Sequence, residues 1–335
     1  MKTGSRLNFL LLAGLFVLLA ILPKLLSEYL LSLVITMIIY SLFAVSFNML
    51  FGYAGLLTFG HAAYFGIGAY LSILSYKFLG LPLLVGILLG GVAGSLLGAC
   101  FGIFLARFRG MTFALLTVAF NQFIFTAAEK WRTVTNGDDG MAGQRPDLTL
   151  PGIGSIGMLS QTNWYYFVVT VVVLSMAYCY FFTRTPLGQL NVCIRENEER
   201  AGFIGYNTYA AKLAVYVLSS FFAGFAGALA SAYQEFVATS FIHLDKGADV
   251  LIMTFVGGSA TFWGPILGVC FLTYFNDLLS SVTQHWRMVQ GVMFIILVIY
   301  APQGISGLLL QVKERVKELA GIGKGIRTHV EGVDQ

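Results

Sequence analysis

Few side chains in this sequence are of kinds that do chemistry, and they stand far apart. His61, within Gly60-His61-Ala62-Ala63-Tyr64, is the one ionisable side chain near the centre of an apolar run. A histidine there can belong to a functional site or simply bond a neighbouring backbone group. Thr117 and Asn121 are one helical turn apart with Gln122 beside them, so one helix face carries polar groups that must turn towards protein or a wet cavity. They can line a path or tie helix to helix. Asp138 and Asp139, in Asn136-Gly137-Asp138-Asp139-Gly140, begin like a calcium loop, but the later ligands and the closing glutamate are missing, which leaves a tight turn. Gly321-Ile322-Gly323-Lys324-Gly325 lacks the leading glycine and the Ser/Thr of a phosphate loop, so no nucleotide site is recognised. Cys100, Cys179, Cys193 and Cys270 are widely spaced and read as small apolar residues. No paired carboxylates, nucleophile with base or metal-ligand cluster falls at a common depth, so the reading assigns no catalytic residue, no metal and no cofactor to this chain.

The elements that must position these residues follow from composition. Of 335 residues, 57% are hydrophobic and 11% charged, against roughly 25% charged in a soluble domain, so lipid is the main solvent. The apolar runs are continuous rather than alternating, which predicts an all-α membrane protein and not a barrel. Spans of about 20 residues fall near 7–27, 29–49, 54–76, 83–105, 111–128, 164–182, 212–233, 262–282 and 287–304. A shorter run, 248–256, is cut by Gly257-Gly258 and Gly264-Pro265. Counting that broken run gives ten crossings and places Lys2/Arg6, Arg107/Arg109, the 183–212 loop and the basic tail on the cytoplasmic side, as positive charge demands. The net charge of +4 is dispersed, which argues against nucleic-acid binding.

The layout divides into an N-terminal helix at 1–28, a first repeat at 29–128, an extracytoplasmic loop at 129–163, a linking helix at 164–182, a cytoplasmic loop at 183–211, a second repeat at 212–304 and a cytoplasmic tail at 305–335. The two repeats begin on opposite sides, and the second span of each is glycine-interrupted, the inverted arrangement of transporters with discontinuous helices. Gly86, Gly90, Gly94, Gly98 and Gly102 recur every four residues, a groove for close helix packing. The residues assigned to the path and its broken helices are Asn48, Gly55, Gly60, His61, Thr117, Asn121, Gln122, Gly257 and Gly258. The 183–212 stretch mixes acids and bases as a short solvated helix does, and is either a surface linker or a docking element. Ala201 and Gly205, four apart, would form a small-residue face on it.

Glu199-Arg200-Ala201-x-x-x-Gly205 resembles the E-A-A-x-x-x-G loop of ABC importer permeases, with arginine for the first alanine. With Gly52-Tyr53-Ala54-Gly55-Leu56-Leu57-Thr58-Phe59-Gly60-His61, Thr112-Phe113-Ala114-Leu115-Leu116-Thr117, Thr135-Asn136-Gly137-Asp138-Asp139-Gly140 and Val256-Gly257-Gly258-Ser259-Ala260-Thr261-Phe262-Trp263-Gly264-Pro265, the chain from about residue 30 to 305 resembles the branched-chain amino acid permease family, M-type subunit. The resemblance implies a bacterial inner-membrane importer with a second, H-type permease subunit, two cytoplasmic ATPase subunits that use ATP and Mg, and an extracytoplasmic binding protein. It makes Gly188, Arg195, Glu199, Arg200, Ala201 and Gly205 the ATPase-coupling loop. A urea, amide or aromatic-acid permease of the same build is the alternative cargo reading. A stand-alone carrier or channel is the alternative class, disfavoured because Asp249 and Asp277 are the only acids near spans and both lie at segment ends.

Overall fold

The computed structural model describes residues 22–143, 147–150, 154–158, 160–300 and 303–308. The span expected at 7–27 and the tail beyond residue 308 lie almost wholly outside them. The helices are α1 (Glu28–Asn48), α2 (His61–Leu79), α3 (Leu83–Leu105), α4 (Gly110–Lys130), the short α5 (Arg132–Thr135), α6 (Gln161–Arg184), α7 (Pro186–Glu196), α8 (Glu198–Phe203), α9 (Thr208–Gln234), α10 (Leu244–Gly257), α11 (Gly264–Val282) and α12 (Trp286–Tyr300). Among the described residues, seven helices are long and apolar enough to cross a membrane. The chain is a multi-pass helical membrane protein. α2 has the length at 19 residues, but Tyr64, Tyr70, Tyr76, Ser72, Ser75 and Lys77 make it less apolar than the others.

Contacts divide the chain into two units between Leu251 and Ile252. In the first, α9 packs on α3, α2 and α1, while α1 also packs on α6. The glycine row of α3 makes this possible. A Cβ at Gly90 would strike Ala228 and Gly68, one at Gly94 would strike Ser220 and Gly224, and one at Gly98 would strike Ser220. Backbones thus meet where side chains are missing, and dispersion rather than hydrophobic expulsion holds them. The core that results is aromatic and small at once, with Phe43, Phe47, Tyr64 and Phe65 beside Ala223, Ala226 and Ala228, all nearly solvent-free.

Two places break the helices of this unit. α1 runs on into a π-helical turn, Met49–Tyr53, and residues 54–60 then follow without helix before α2 begins at His61. The span drawn at 54–76 therefore starts seven residues late, because Gly55 turns the chain at φ +69°. After α9, Phe236–Val237 (β4) pairs antiparallel with Met141–Ala142 (β1), and a 3₁₀ turn, Thr239–Phe241, leads into α10. Leu148–Leu150 (β2) and Gly154–Ile156 (β3) form a second small ladder.

The two ends of the unit are marked by polar contacts. Arg109 Nε and Glu198 Oε2 pair at 2.8 Å, so the start of α4 and the 183–212 loop share one end. Thr239 Oγ1 donates to Asp138 Oδ1 at 3.1 Å, so the Asn136 turn and the end of α9 share the other. In the second unit Gly257 packs against the carbonyl of Gly264, and Gly258, at φ +99°, packs against Gln303 and Ser306. The glycines expected to break this region do so by ending α10 and letting α11 start against it.

Candidate functional site

The loop between α6 and α9 is a pair of capped helices. Thr185 accepts from Gly188 N–H at 3.3 Å and Pro186 takes the first turn of α7, the usual side-chain cap with a proline whose missing N–H costs nothing. Asn197 caps α8 through Arg200 N–H at 2.9 Å, and Asn207 caps α9 through Ala210 N–H at 3.0 Å. α8 ends in a Schellman motif: Tyr206 N–H donates to Ala201 O and Gly205 N–H to Gly202 O, with Gly205 at φ +97°. Only glycine adopts that conformation without strain, which explains the glycine at this spacing.

This geometry corrects the expected small-residue face. Ala201 is 4% exposed and packs with Ile194 and Ala211, whereas Gly205 lies beyond the helix with open space where a Cβ would be. The exposed surface is instead apolar, with Phe203 90%, Ile204 71% and Tyr206 56% exposed. Glu199 and Arg200 are exposed, and Gly188 is buried against Phe182 and Thr183.

The loop is braced on the spans at two points. Glu198 Oε1 meets the ammonium of Lys212, 2% exposed, at 2.8 Å while its other oxygen holds Arg109. Arg195 Nη1 donates to Gly52 O of the π-turn, and its aliphatic stem occupies the space where a Cβ on Gly55 would lie. Arg195 therefore fixes α7 to the point where α1 unwinds, and Gly55 is required there for close approach as well as for its positive φ.

The broken backbones are met by one helix face. Phe59 N–H donates to Thr117 Oγ1 at 3.1 Å, and Gly60 packs against Thr117 O. One turn on, Asn121 Nδ2 donates to Ile242 O at 3.0 Å. Thr117 thus serves the break before α2 and Asn121 the break before α10, as irregular backbone within a membrane requires. His61 is fully buried, with Nε2 3.0 Å from Ser46 Oγ and its ring stacked on Phe43 at 5.3 Å; the structure places it in the aromatic core, not on an open face. Asn48 is likewise buried, whereas Gln122 is exposed. Asp138 receives the Thr239 hydroxyl and Asp139 is exposed.

The same geometry carries charge to mid-depth. Asn121 is eleven residues into the 21-residue α4, and Tyr40 is twelve residues into the 26-residue span Glu28–Tyr53, ~18 Å from its start at 1.5 Å per residue. Lys246 Nζ lies 3.0 Å from Tyr40 OH and 5.2 Å from the ring centroid. His243 Nδ1 lies 3.3 Å from Asp245 Oδ2, and its ring abuts Phe125 of α4 with centroids 5.4 Å apart. Sequence reasoning missed these residues by leaving 234–247 outside the spans. One signal was available: 248–256 is too short to cross, so the remaining length has to come from the charged stretch before it.

A multi-span helical protein whose two helix breaks are served by one polar face of α4, with its polar loop braced on the first of them, has the build of a membrane permease. The chain belongs to the family of branched-chain amino acid transport system permease components, matching over residues 29–298. It is similar to the high-affinity branched-chain amino acid transport system permease protein LivM of Escherichia coli K12, with 26% identity covering 94% of this chain and 78% of that one. The LivM of Salmonella typhimurium is 26% identical over 86% and 71%, and the probable LivM of Methanocaldococcus jannaschii is 21% identical over 84% and 96%. No solved structure matches the chain significantly.

Proposed function

We propose that this chain is the non-catalytic M-type permease subunit of an ATP-driven importer that carries branched-chain or related hydrophobic amino acids across a bacterial inner membrane. The observation that carries this reading is the family match over residues 29–298 together with the braced two-helix loop. The partners are an H-type permease subunit, two cytoplasmic ATPase subunits that use ATP and Mg, and an extracytoplasmic binding protein. The clustering of Arg109, Arg195, Arg200 and Lys212 at one end of the first unit supports a cytoplasmic location for that end.

In this mechanism Phe203, Ile204 and Tyr206 dock on an ATPase subunit. Burying an apolar side chain of this size contributes about 1.5–3 kcal/mol, enough for a few residues to hold the contact. When the ATPase subunits close on ATP, the loop moves as one body because Ile194 of α7 and Ala201 of α8 pack together, against Ala211 at the start of α9. Arg195 passes the motion to the π-turn at Gly52, and Glu198 passes it to α9 through Lys212 and to α4 through Arg109. The π-turn and the unwound 54–60 stretch change conformation more easily than an unbroken helix.

Phe203→Glu and Ile204→Glu test the docking surface. Substitution of Gly205 does not, since any side chain at φ +97° strains the turn whether or not it docks. The expected outcome is loss of ATPase co-purification and of uptake at normal membrane abundance. Undiminished uptake by both variants, with the ATPase subunits still bound, would refute the assignment.

A further inference from the structure

We infer that the groove between α3, α6 and α9 holds one acyl chain of a membrane phospholipid with an anionic headgroup, and that the headgroup meets Arg107 at the groove's mouth. This goes beyond the permease reading and does not depend on it.

Helix periodicity builds the groove. α9 supplies Tyr209, Leu213, Val217 and Phe221, each about one turn from the next, and beside them the smaller Ala210 and Ala214. Tyr178 and Phe182 of α6 line the same space, and Ser95 of α3 completes a cavity of about 570 Å³ that is almost wholly apolar. The short alanine side chains give it depth. The hydroxyls of Ser95 and Tyr209 already donate to Val92 O and Ile103 O, both at 2.8 Å, so the lining suits hydrocarbon rather than a polar ligand. The groove opens towards lipid. Tyr178 on its rim is 54% exposed, and Leu96 and Phe181, next in sequence to lining residues, are 66% and 68% exposed.

Length and charge then select the occupant. From Tyr209 to Phe221 the groove follows α9 for twelve residues (221 − 209), ~18 Å at 1.5 Å per residue. Ser95 lies ten residues before the end of α3 (105 − 95), or ~15 Å. Both distances are about half of the ~30 Å hydrocarbon core. A spanning helix, of this chain or of a partner, needs the full thickness, whereas an acyl chain occupies one leaflet. At the mouth the Tyr209 hydroxyl joins α9 to Ile103, and Arg107 stands one turn beyond Ile103, exposed. Arg184, its guanidinium 5.1 Å from the Tyr180 ring centroid, ends α6 two residues past Phe182. Among the described residues neither arginine is in an ion pair, while Glu198 is taken up by Arg109 and Lys212. Cations at the end of an apolar groove between spans match a headgroup of net negative charge better than a zwitterionic one.

The test uses the full chain, purified in mild detergent and stripped of lipid. Phosphatidylglycerol and phosphatidylcholine of equal chain length are the probes, and native mass spectrometry reads their occupancy. Phosphatidylglycerol should hold one site per chain at least about fivefold more tightly, which is what one basic side chain contributes at an anionic lipid surface. Ala214→Trp, which fills the groove, should abolish that occupancy, and Phe181→Trp, equally bulky but outside the lining, should not. Arg107→Gln together with Arg184→Gln leaves the groove itself unaltered and should bring the two lipids within about twofold of each other. Equal occupancy in the parent and Ala214→Trp, or no preference between the lipids in the parent, would overturn the inference. The arginine pair decides the matter even if Ala214→Trp does not fold, because a preference left intact without both side chains would equally overturn it. So would a gain in lipid retention on deleting residues 1–21, since that segment would then be what fills the groove.

Discussion

Glu198 is the acid on which the loop turns, because both its oxygens are engaged and one of them neutralises a buried ammonium. The two pairs are not equal. Arg109 is 54% exposed, so its contribution is small, about 0–1 kcal/mol. Lys212 is 2% exposed, and removing one partner of a buried pair costs about 3–5 kcal/mol because the other charge is left without compensation. Glu198→Gln is therefore expected to destabilise the permease markedly in a thermal-shift measurement. The double variant Glu198→Gln/Lys212→Met should recover much of the loss, since the orphaned charge goes with it. If the single variant melts with the parent, the brace does not carry the loop. Arg195 shows how close residue-scale fit can be: its stem needs Gly55 to lack a side chain, so two positions 140 residues apart (195 − 55) depend on each other.

At the scale of elements, α3 and α9 depend on glycine in a way that hydropathy does not reveal. A side chain at Gly94 would meet Ser220 O and come within 3.0 Å of Gly224 Cα, and backbone cannot move aside as a flexible side chain can. Gly94→Leu should separate α3 from α9 and leave little folded protein by fluorescence-detected size exclusion. Leu96→Ala, on a side chain 66% exposed, should leave the elution profile unchanged. Equal profiles for the two variants would mean that the glycine row is not a packing surface. α10 makes a second point. At 14 residues it is too short to span, and its start at mid-depth brings Asp245, Lys246 and Asp249 inward. Acids therefore do lie within the broken region, and it is membership of the permease family that separates this chain from a stand-alone carrier.

For the whole molecule, the contacts of the first unit sort the loops by end: Arg109 with Glu198 at one, Asp138 with Thr239 and β1 with β4 at the other. This agrees with the alternation expected from charge, in which α9 runs from the basic end to the end that carries Asp138. Ten crossings would extend the pattern and return the C-terminal tail to the basic side. Gly325→Cys should accordingly resist an impermeant maleimide added to intact cells and react after permeabilisation. Labelling from outside would require an odd number of crossings between the 183–212 loop and the tail.

Much of this protein was legible without coordinates, because lipid imposes strong rules. Continuous apolar runs specify helices, and glycines every four residues specify a close contact. Those are local or compositional properties, and α3, α4, α6, α9 and α11 lie within a few residues of where they were drawn. The resemblance carried jointly by the Gly52–His61, Thr112–Gln122, Thr135–Gly140, Glu199–Gly205 and Val256–Pro265 stretches also named the family. What spacing did not decide was which side of a short helix is buried. Ala201 turned inward, Gly205 fell into a Schellman turn, and Phe203 and Ile204 took the surface. Nor did it place His61 in the core or Lys246 beside Tyr40. Those outcomes depend on how far an unwound segment re-enters before its helix begins, and only the partners that satisfy its backbone, Thr117 for one break and Asn121 for the other, determine that depth.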